Sequence, residues 1–346
     1  MHYSNGGETM KGNKKISIKE IAELSGVSVA TVSRVLNDNG RFSEETRKRV
    51  MDIIKEHDYT VNMAAKSLRV SKSKTIGVVV PDINNEFFST VVLEIEKFFF
   101  EEGYSVFICN TSQNDLKEEA YFRSLDSKLV DGIICISGRE DIPLGVIKRN
   151  IPIVCIDRKP KSGTNAIYVE SDHYLGGFMA TEELIKKGCK RILTLAKGKS
   201  LSVNKQRLQG YKDALIKYGF SVDENFIVKL NGNRSSFEEA RDIVSYLIKK
   251  GIEFDGIFAT NDWRAHGALV ALQQNNISVP EKVKIVGFDG ISVSEFCYPP
   301  ITTIYQDKKT IALEASELLY KLISGEEIKG SRHVVIPVSL VSRGTT

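Results

Sequence analysis

The ten positions from Ser28 to Asn37 combine one guanidinium, several hydroxyls and small apolar side chains at helical spacing. With Val32 turned inward, Val29, Ala30, Ser33 and Arg34 share the outer side of a helix. A guanidinium so placed can donate two hydrogen bonds to guanine O6 and N7, which separates right from wrong base pairs by about 1–3 kcal/mol. Val29 and Ala30 offer only apolar surface, which suits thymine methyl groups. The hydroxyls of Ser28, Thr31 and Ser33, with the amide of Asn37, suit phosphate oxygens, contacts that fix position without reading sequence. This is the chemistry of base reading, although the same helices could equally form a purely structural bundle.

The neighbouring residues predict three short helices that would hold this segment. Ser17-Ile18-Lys19-Glu20 has the spacing of a capping box, and Ile18, Ile21, Ala22 and Leu24 follow at helical spacing. Gly26 supplies the sharp turn. Ser28 caps a second helix to about Asn37, with Val32, Val35 and Leu36 inward, and Asp38-Asn39-Gly40 makes the next turn. Ser43 begins a third helix with Val50, Ile53 and Ile54 on its inner face. In a helix-turn-helix the start of the second helix enters the major groove. Residues 1–74 hold 14 Lys and Arg against 9 Asp and Glu, whereas the remainder holds 34 against 35. A basic head on a neutral body points to a polyanionic partner for the head. Residues 1–15 read as a disordered leader without the apolar centre of a secretory signal. No run of about 18 apolar residues could span a bilayer, so a cytoplasmic protein is expected.

A basic linker from Thr60 to Lys74, with one short helix from Asn62 to Arg69, follows the head. From Thr75 onward apolar strands alternate with amphipathic helices. Strands are predicted at Thr75–Pro81, Ser105–Asn110, Gly132–Ser137, Ile153–Asp157, Arg191–Ala196, Phe226–Leu230, Gly256–Thr260, Lys284–Asp289 and Thr302–Gln306. Helices are predicted at Val91–Glu102, Gly176–Lys187, Lys205–Tyr218, Ser236–Lys250, Ala265–Asn275 and Lys308–Ser324. Repeated βα units with near-continuous apolar strands make the fold class α/β: an all-α head plus a two-lobed, doubly wound parallel-sheet body. Ligands in such sheets sit beyond the carboxyl ends of the strands. The five cysteines are scattered and form no C-x-x-C, so reduced core thiols are expected rather than a metal site or a disulfide framework. No G-x-G-x-x-G, G-x-x-x-x-G-K-[ST] or G-x-S-x-G is present, and no cofactor, metal or catalytic residue is expected.

The run from Ile18 to Asn37, IKEIAELSGVSVATVSRVLN, closely resembles the head signature of the lactose-repressor (LacI/GalR) family of transcription regulators. Asn62, Ala65 and Leu68 resemble its hinge helix, in which Lys66 stands where arginine is usual. The resemblance implies that Leu68 wedges into the minor groove, while Lys66 keeps the charge but not the planar fork. It divides the chain into a leader (1–15), a helix-turn-helix (16–60), a hinge (61–74) and a ligand-binding body (75–346). The N-lobe spans about 75–172 and 307–333, the C-lobe about 173–306 and 334–346.

The body resembles the periplasmic sugar-binding fold used by the same family. A sugar needs aromatic walls for its ring and planar polar groups for its hydroxyls. By resemblance, Asn85, Phe87, Phe88, Asp157, Arg158, Arg207, Asn261, Asp289 and Gln306 form a ribose-type pocket. Arg234 aligns with an aromatic that usually covers the sugar, which would admit a sugar acid or phosphate. Glu86 replaces a common proline, so a less rigid loop is expected there. His173 replaces a common asparagine and is expected to be structural. Trp263 is read as cleft wall or core. The resemblance implies a homodimer on near-palindromic double-stranded DNA, controlled by a small sugar-type effector. With the sequence ending at Thr346 and no trailing leucine heptads, a dimer rather than a tetramer is expected. The rival readings are an exported sugar-binding protein, which leaves 17–69 unexplained, and an α/β enzyme, for which no nucleophile spacing is found.

Overall fold

The computed structural model describes residues 16–36, 38–59, 72–137, 141–159, 167–198, 202–232, 234–328 and 330–346. The predicted hinge positions Asn62, Ala65, Lys66 and Leu68, and Asn37, lie outside them. The chain divides into a head and a body at Ser71/Lys72.

The head is three helices, α1 (Ile18–Ser25), α2 (Val29–Leu36) and α3 (Glu44–Glu56). Each begins on the predicted serine. Ser17 and Glu20 form the reciprocal capping box, Ser28 Oγ accepts from the Thr31 amide at 3.1 Å, and Ser43 Oγ accepts from the Thr46 amide at 3.2 Å. Gly26 ends α1 in the left-handed conformation (φ 62°), a backbone that costs glycine no steric penalty. Ile21, Ala22, Val32, Val35 and Val50 form the buried centre. Leu24, which follows at helical spacing, is nonetheless 55% exposed; the buried residues of α1 are Ile21, Ala22 and Ser25.

The body contains two six-stranded sheets wound alike. The first has β1 (Thr75–Val80), β2 (Ser105–Asn110), β3 (Gly132–Ile136), β4 (Ile153–Ile156), β5 (Ile167–Ser171) and β11 (His333–Ile336) in the order 11-5-4-3-1-2, all parallel. The second has β6 (Ile192–Lys197), β7 (Ile227–Leu230), β8 (Gly256–Ala259), β9 (Lys284–Asp289), β10 (Thr302–Gln306) and β12 (Val338–Val341) in the order 12-10-9-8-6-7. Here β12 runs antiparallel to β10, a departure from the expected all-parallel sheet. Beyond the nine predicted strands, β5, β11 and β12 complete the sheets; each is only four or five residues long and carries polar residues, which hides it from an apolar-run criterion.

Helices cover both faces of each sheet. On the first, α4 (Glu86–Glu101) and α11 (Lys308–Ser324) bury Ile95, Phe99 and Leu319, while α5 (Asp115–Ser127) buries Phe122 and Leu125 on the other face. On the second, α8 (Ser236–Lys249) and α9 (Asp262–Gln274) lie opposite α6 (His173–Lys186) and α7 (Ser202–Lys217). A five-residue helix, α10 (Ser292–Phe296), follows β9. The chain passes between lobes three times. Two passages end on aspartate caps, Asp172 for α6 and Asp307 for α11. The third lies at Pro337, between β11 and β12, rather than at residue 333/334, because the two short strands belong to different sheets. Among the described residues no helix is long and apolar enough to cross a membrane. All five cysteines are free thiols, four of them buried.

One contact sets where α7 can lie. A Cβ on Gly177 of α6 would stand 2.1 Å from the Arg207 carbonyl oxygen, and a Cβ on Gly210 of α7 would stand 2.1 Å from that of Tyr174. The two backbones therefore touch, which places the start of α7 against the start of α6. Gly177→Ala is expected to lower stability by about 1–3 kcal/mol through overpacking. Gly145→Ala, where an added Cβ meets nothing within 4 Å, is expected to be tolerated. Urea denaturation of both variants checks this.

Candidate functional site

The strand ends of both sheets converge on one cleft of about 520 Å³, within the size range of small-molecule sites. In each sheet the winding reverses direction between the first and third strands, β1/β3 and β6/β8, and the cleft opens at those reversals. From the first sheet come Asn85, Phe87 and Phe88 after β1, Gln113 and Asp115 after β2, Ser137 and Asp141 after β3, and Asp157 after β4. From the second come Lys197, Arg207, Thr260, Asn261, Arg264 and Asp289. Ser137, Asp157 and Asp289 have φ of 49°, 51° and 110°, a conformation uncommon for non-glycine residues.

Arg207 is the hub. It is 7% exposed, and its guanidinium stacks on the Phe288 ring at 3.7 Å. Its Nη1 donates to the Thr260 carbonyl at 2.6 Å and faces Asp289 Oδ1 at 3.5 Å. Its Nε and Nη2 point at His173 Nδ1, 3.3 and 3.2 Å away. Arginine can only donate, so Nδ1 accepts. With Nδ1 accepting, a ring proton resides on Nε2, which donates to Asp157 Oδ1 at 2.8 Å. A line of hydrogen bonds thus runs from Asp157 on the first sheet through His173 to Arg207 on the second. Burial alone would raise the Asp157 carboxyl. The His173 ring, the Arg207 guanidinium and the Ser171 amide more than offset it and leave Asp157 below its ordinary value. Asp289 is raised, chiefly by burial, despite Arg207 and Lys308 beside it. Asp262, fully buried behind it, is pushed up to about 8 by burial and by the Asp289 charge.

Of the residues named from the sequence, Asn85, Phe87, Phe88, Asp157, Arg207, Asn261 and Asp289 line the cleft. Asn85 and Asn261 also cap α4 and α9, accepting from the amides of Phe87 and Arg264. The Asn85 cap starts α4 five residues before the predicted Val91. Three predicted residues do not line the cleft. Arg158 stands behind its wall, 2% exposed, bonding Glu118 at 2.8 Å and the Asp141 carbonyl. Gln306 is fully buried and donates to Asp289 Oδ1 at 2.7 Å, so it orients that carboxylate. Arg234 is on the surface, ion-paired with Asp242 at 2.6 Å and Glu238 at 3.4 Å, because the Ser235 cap of α8 sets it beside that helix's acidic face. The sugar-acid reading that rested on Arg234 loses its support. Trp263, 37% exposed and edge-on to His266, is neither core nor cleft lining. Glu86 does not loosen its loop, since its carboxylate accepts from both the amide and the hydroxyl of Ser292. Sequence reasoning missed Arg264 and the contact between Lys197 and Gln113, 2.5 Å across the cleft.

In the head, Ser28, Ala30 and Arg34 are exposed, while Thr31 and Ser33 are half-buried. The Arg34 stem passes the α2–α3 turn, where a Cβ on Gly40 would lie 3.2 Å from its Cδ. Val29, expected on the outer side, is half-buried against the head core, which leaves less of it for a base.

Residues 73–344 match the family described as periplasmic binding proteins and the sugar-binding domain of the LacI family, and residues 17–62 match bacterial regulatory proteins of the lacI family. The chain belongs to the LacI family. It is 33% identical over 333 residues to the HTH-type transcriptional regulator RegA of Clostridium saccharobutylicum, covering 95% of this chain and 99% of that one. It is also 33% identical over 331 residues to a ribose operon repressor of Halalkalibacterium halodurans, covering 95% and 97%. Among solved structures, the lac repressor dimer bound to operator and the anti-inducer ONPF is similar, with a TM-score of 0.84, 26% identity and 96% and 99% coverage. This LacI-family chain is thus a DNA-binding regulator with a sugar-binding effector domain; the family is one of transcription regulators rather than enzymes.

In this LacI-family body His173 serves as one donor and one acceptor. His173→Asn, which can also supply both, is expected to fold with little loss. His173→Leu strands Asp157 and Arg207 in the interior and is expected to cost about 1–3 kcal/mol for each group left unsatisfied. Equal urea midpoints for the two variants would contradict the proposed line of hydrogen bonds.

Proposed function

We propose that the chain is a cytoplasmic repressor that binds a near-palindromic operator as a homodimer and releases or grips it according to a ribose-like monosaccharide held between its lobes. The observation that carries this reading is the convergence of Phe88, Asn85, Arg207 and Asp289 from two sheets on one cleft. Phe88 offers a ring face, and Arg207 and Asp289 offer planar paired donors and acceptors. A ribose operon repressor among the relatives favours a sugar of that size.

Pairing through the first lobe is supported by an uncovered apolar face. Edge strand β2 leaves Phe107 and Ile108 exposed, and the neighbouring α4 leaves Leu93 and Phe100 exposed at 65% and 72%. An open apolar edge of this kind is rarely left bare in a protein that works alone. Two paired bodies would present two heads to adjacent half-sites. Closure of the lobes on ligand would then respace the hinges, in which Asn62, Ala65, Lys66 and Leu68 are the proposed DNA contacts. Coupling of this type amounts to about 1–3 kcal/mol.

The reading is tested by titrating the full-length chain against duplexes from its own upstream DNA, with and without sugars. A sequence-specific complex whose affinity moves with a sugar is expected; equal affinity for random DNA under all conditions would overturn it. Arg34→Ala is expected to lose about 1–3 kcal/mol of discrimination at one guanine while binding to random DNA stays nearly intact. Arg207→Ala is expected to abolish the sugar response and leave operator binding in place.

A further inference from the structure

Arg264 is a cleft cation that forms no ion pair among the described residues, although Asp289 and Glu239 favour its charge from a distance. It stands in the first turn of α9, is 5% exposed and lines the cleft. Of its five N–H donors, one is engaged: Nη1 donates to Thr260 Oγ1 at 3.3 Å. Its Nε is buried with no partner, and no carboxylate lies within ion-pairing distance of it. The other buried arginines differ. Arg158 has Glu118 at 2.8 Å, and Arg207 has Asp289 at 3.5 Å.

The electrostatics sharpen the contrast. Arg207 and Arg264 both bond to Thr260, one to its carbonyl and the other to its hydroxyl, so two guanidinium groups crowd one residue. The Asp289 carboxylate is already hydrogen-bonded by Arg207 and Gln306. Burial pulls the Arg264 pKa down to about 10; Asp289 and Glu239 hold it up, Arg207 pushes it down, and it remains a cation at neutral pH. A buried charge left unpaired is among the most destabilising features a fold can hold. A sugar hydroxyl would supply an acceptor without cancelling the charge, whereas an anion would do both. The N-terminus of α9, capped by Asn261 at the same wall, adds its positive end to the same spot.

We propose that the effector carries an anionic group, a carboxylate or a phosphate, and that Arg264 receives it while Arg207 and Asp289 hold the sugar ring. The assignment rests on the sugar-sensing reading above and narrows it to acidic sugar derivatives.

The test is calorimetry and thermal denaturation of the full-length chain with ribose, ribose 5-phosphate, glucose, glucuronate and inorganic phosphate. Wild type, Arg264→Met, Arg264→Lys and Arg207→Ala are compared, each first shown to be folded by its unliganded melting curve. Met matches the volume of the arginine stem, and Lys keeps the charge should Met fail to fold. An anionic sugar is expected to bind at least 30-fold more tightly than its neutral parent. That ratio is expected to collapse in Arg264→Met and to be only partly kept in Arg264→Lys. Whether ribose 5-phosphate or glucuronate shows the larger ratio assigns phosphate or carboxylate. Wild type stabilised by none of the three anions, or Arg264→Met stabilised as much as wild type, overturns the proposal. A neutral sugar that binds wild type and Arg264→Met alike, but not Arg207→Ala, also overturns it and leaves the sensor reading intact. Anionic-sugar binding that needs Arg264 but survives Arg207→Ala supports the anion site and contradicts the sugar seat assigned under the proposed function.

Discussion

A guanidinium cannot shed its charge when it is buried, so everything near Arg207 is arranged around that fact. The second sheet supplies Asp289, the Thr260 carbonyl and the Phe288 ring. Among the described residues, the first sheet's hydrogen-bonded link to it runs through His173, whose other nitrogen bonds Asp157. The interaction therefore joins two lobes through a ring with a single donor and a single acceptor. Gly177 and Gly210 matter for the same reason: without a Cβ on either, α6 and α7 approach closely enough for Arg207 to meet His173. Gln306 and Lys308 then steady Asp289, one at its side chain and the other at its carbonyl oxygen.

The head obeys a different economy. Its core is small, with five fully buried side chains, and its helices are eight to thirteen residues long. Helices of that length are marginal alone, so side-chain caps and the Gly26 turn carry a large share of their definition. With the inward positions committed to Val32 and Val35, Arg34 is left on the exposed side of α2. The body's polar network is buried, whereas Arg34 and Ser28 of the head are exposed.

Much of this is legible in the sequence because it is local. Caps at Ser17, Ser28 and Ser43 depend on residues three apart, and the strand-end positions of Asp157 and Asp289 follow from apolar runs that stop there. What escaped depends on packing between distant segments. Arg234 was placed over the cleft by alignment with an aromatic, but the Ser235–Glu238 capping box begins α8 beside it, and the acids of that helix draw its guanidinium outward. Arg158 and Gln306 sit at strand ends as expected, yet each is turned behind the wall toward a buried partner. Arg264 had a readable signal: it shares a helical stripe with the buried Ala268, Ala271 and Leu272, so an inward charge was implied by the period of α9. Short strands such as β5 and β12 carry too few apolar residues to be told from loops, and they are strands because a neighbouring edge offers them hydrogen bonds.

The central claim is that one cleft in the body and one helix in the head share a free energy, since a ligand shifts DNA affinity only by binding two states of the protein differently. Linkage makes that claim reciprocal. The most direct measurement is the dissociation constant of an effector for the full-length chain, taken free and again with saturating operator duplex. The account predicts that operator changes the constant by roughly 5- to 150-fold, the same factor by which effector changes operator affinity. An effector that binds free and DNA-bound protein with the same constant would contradict it.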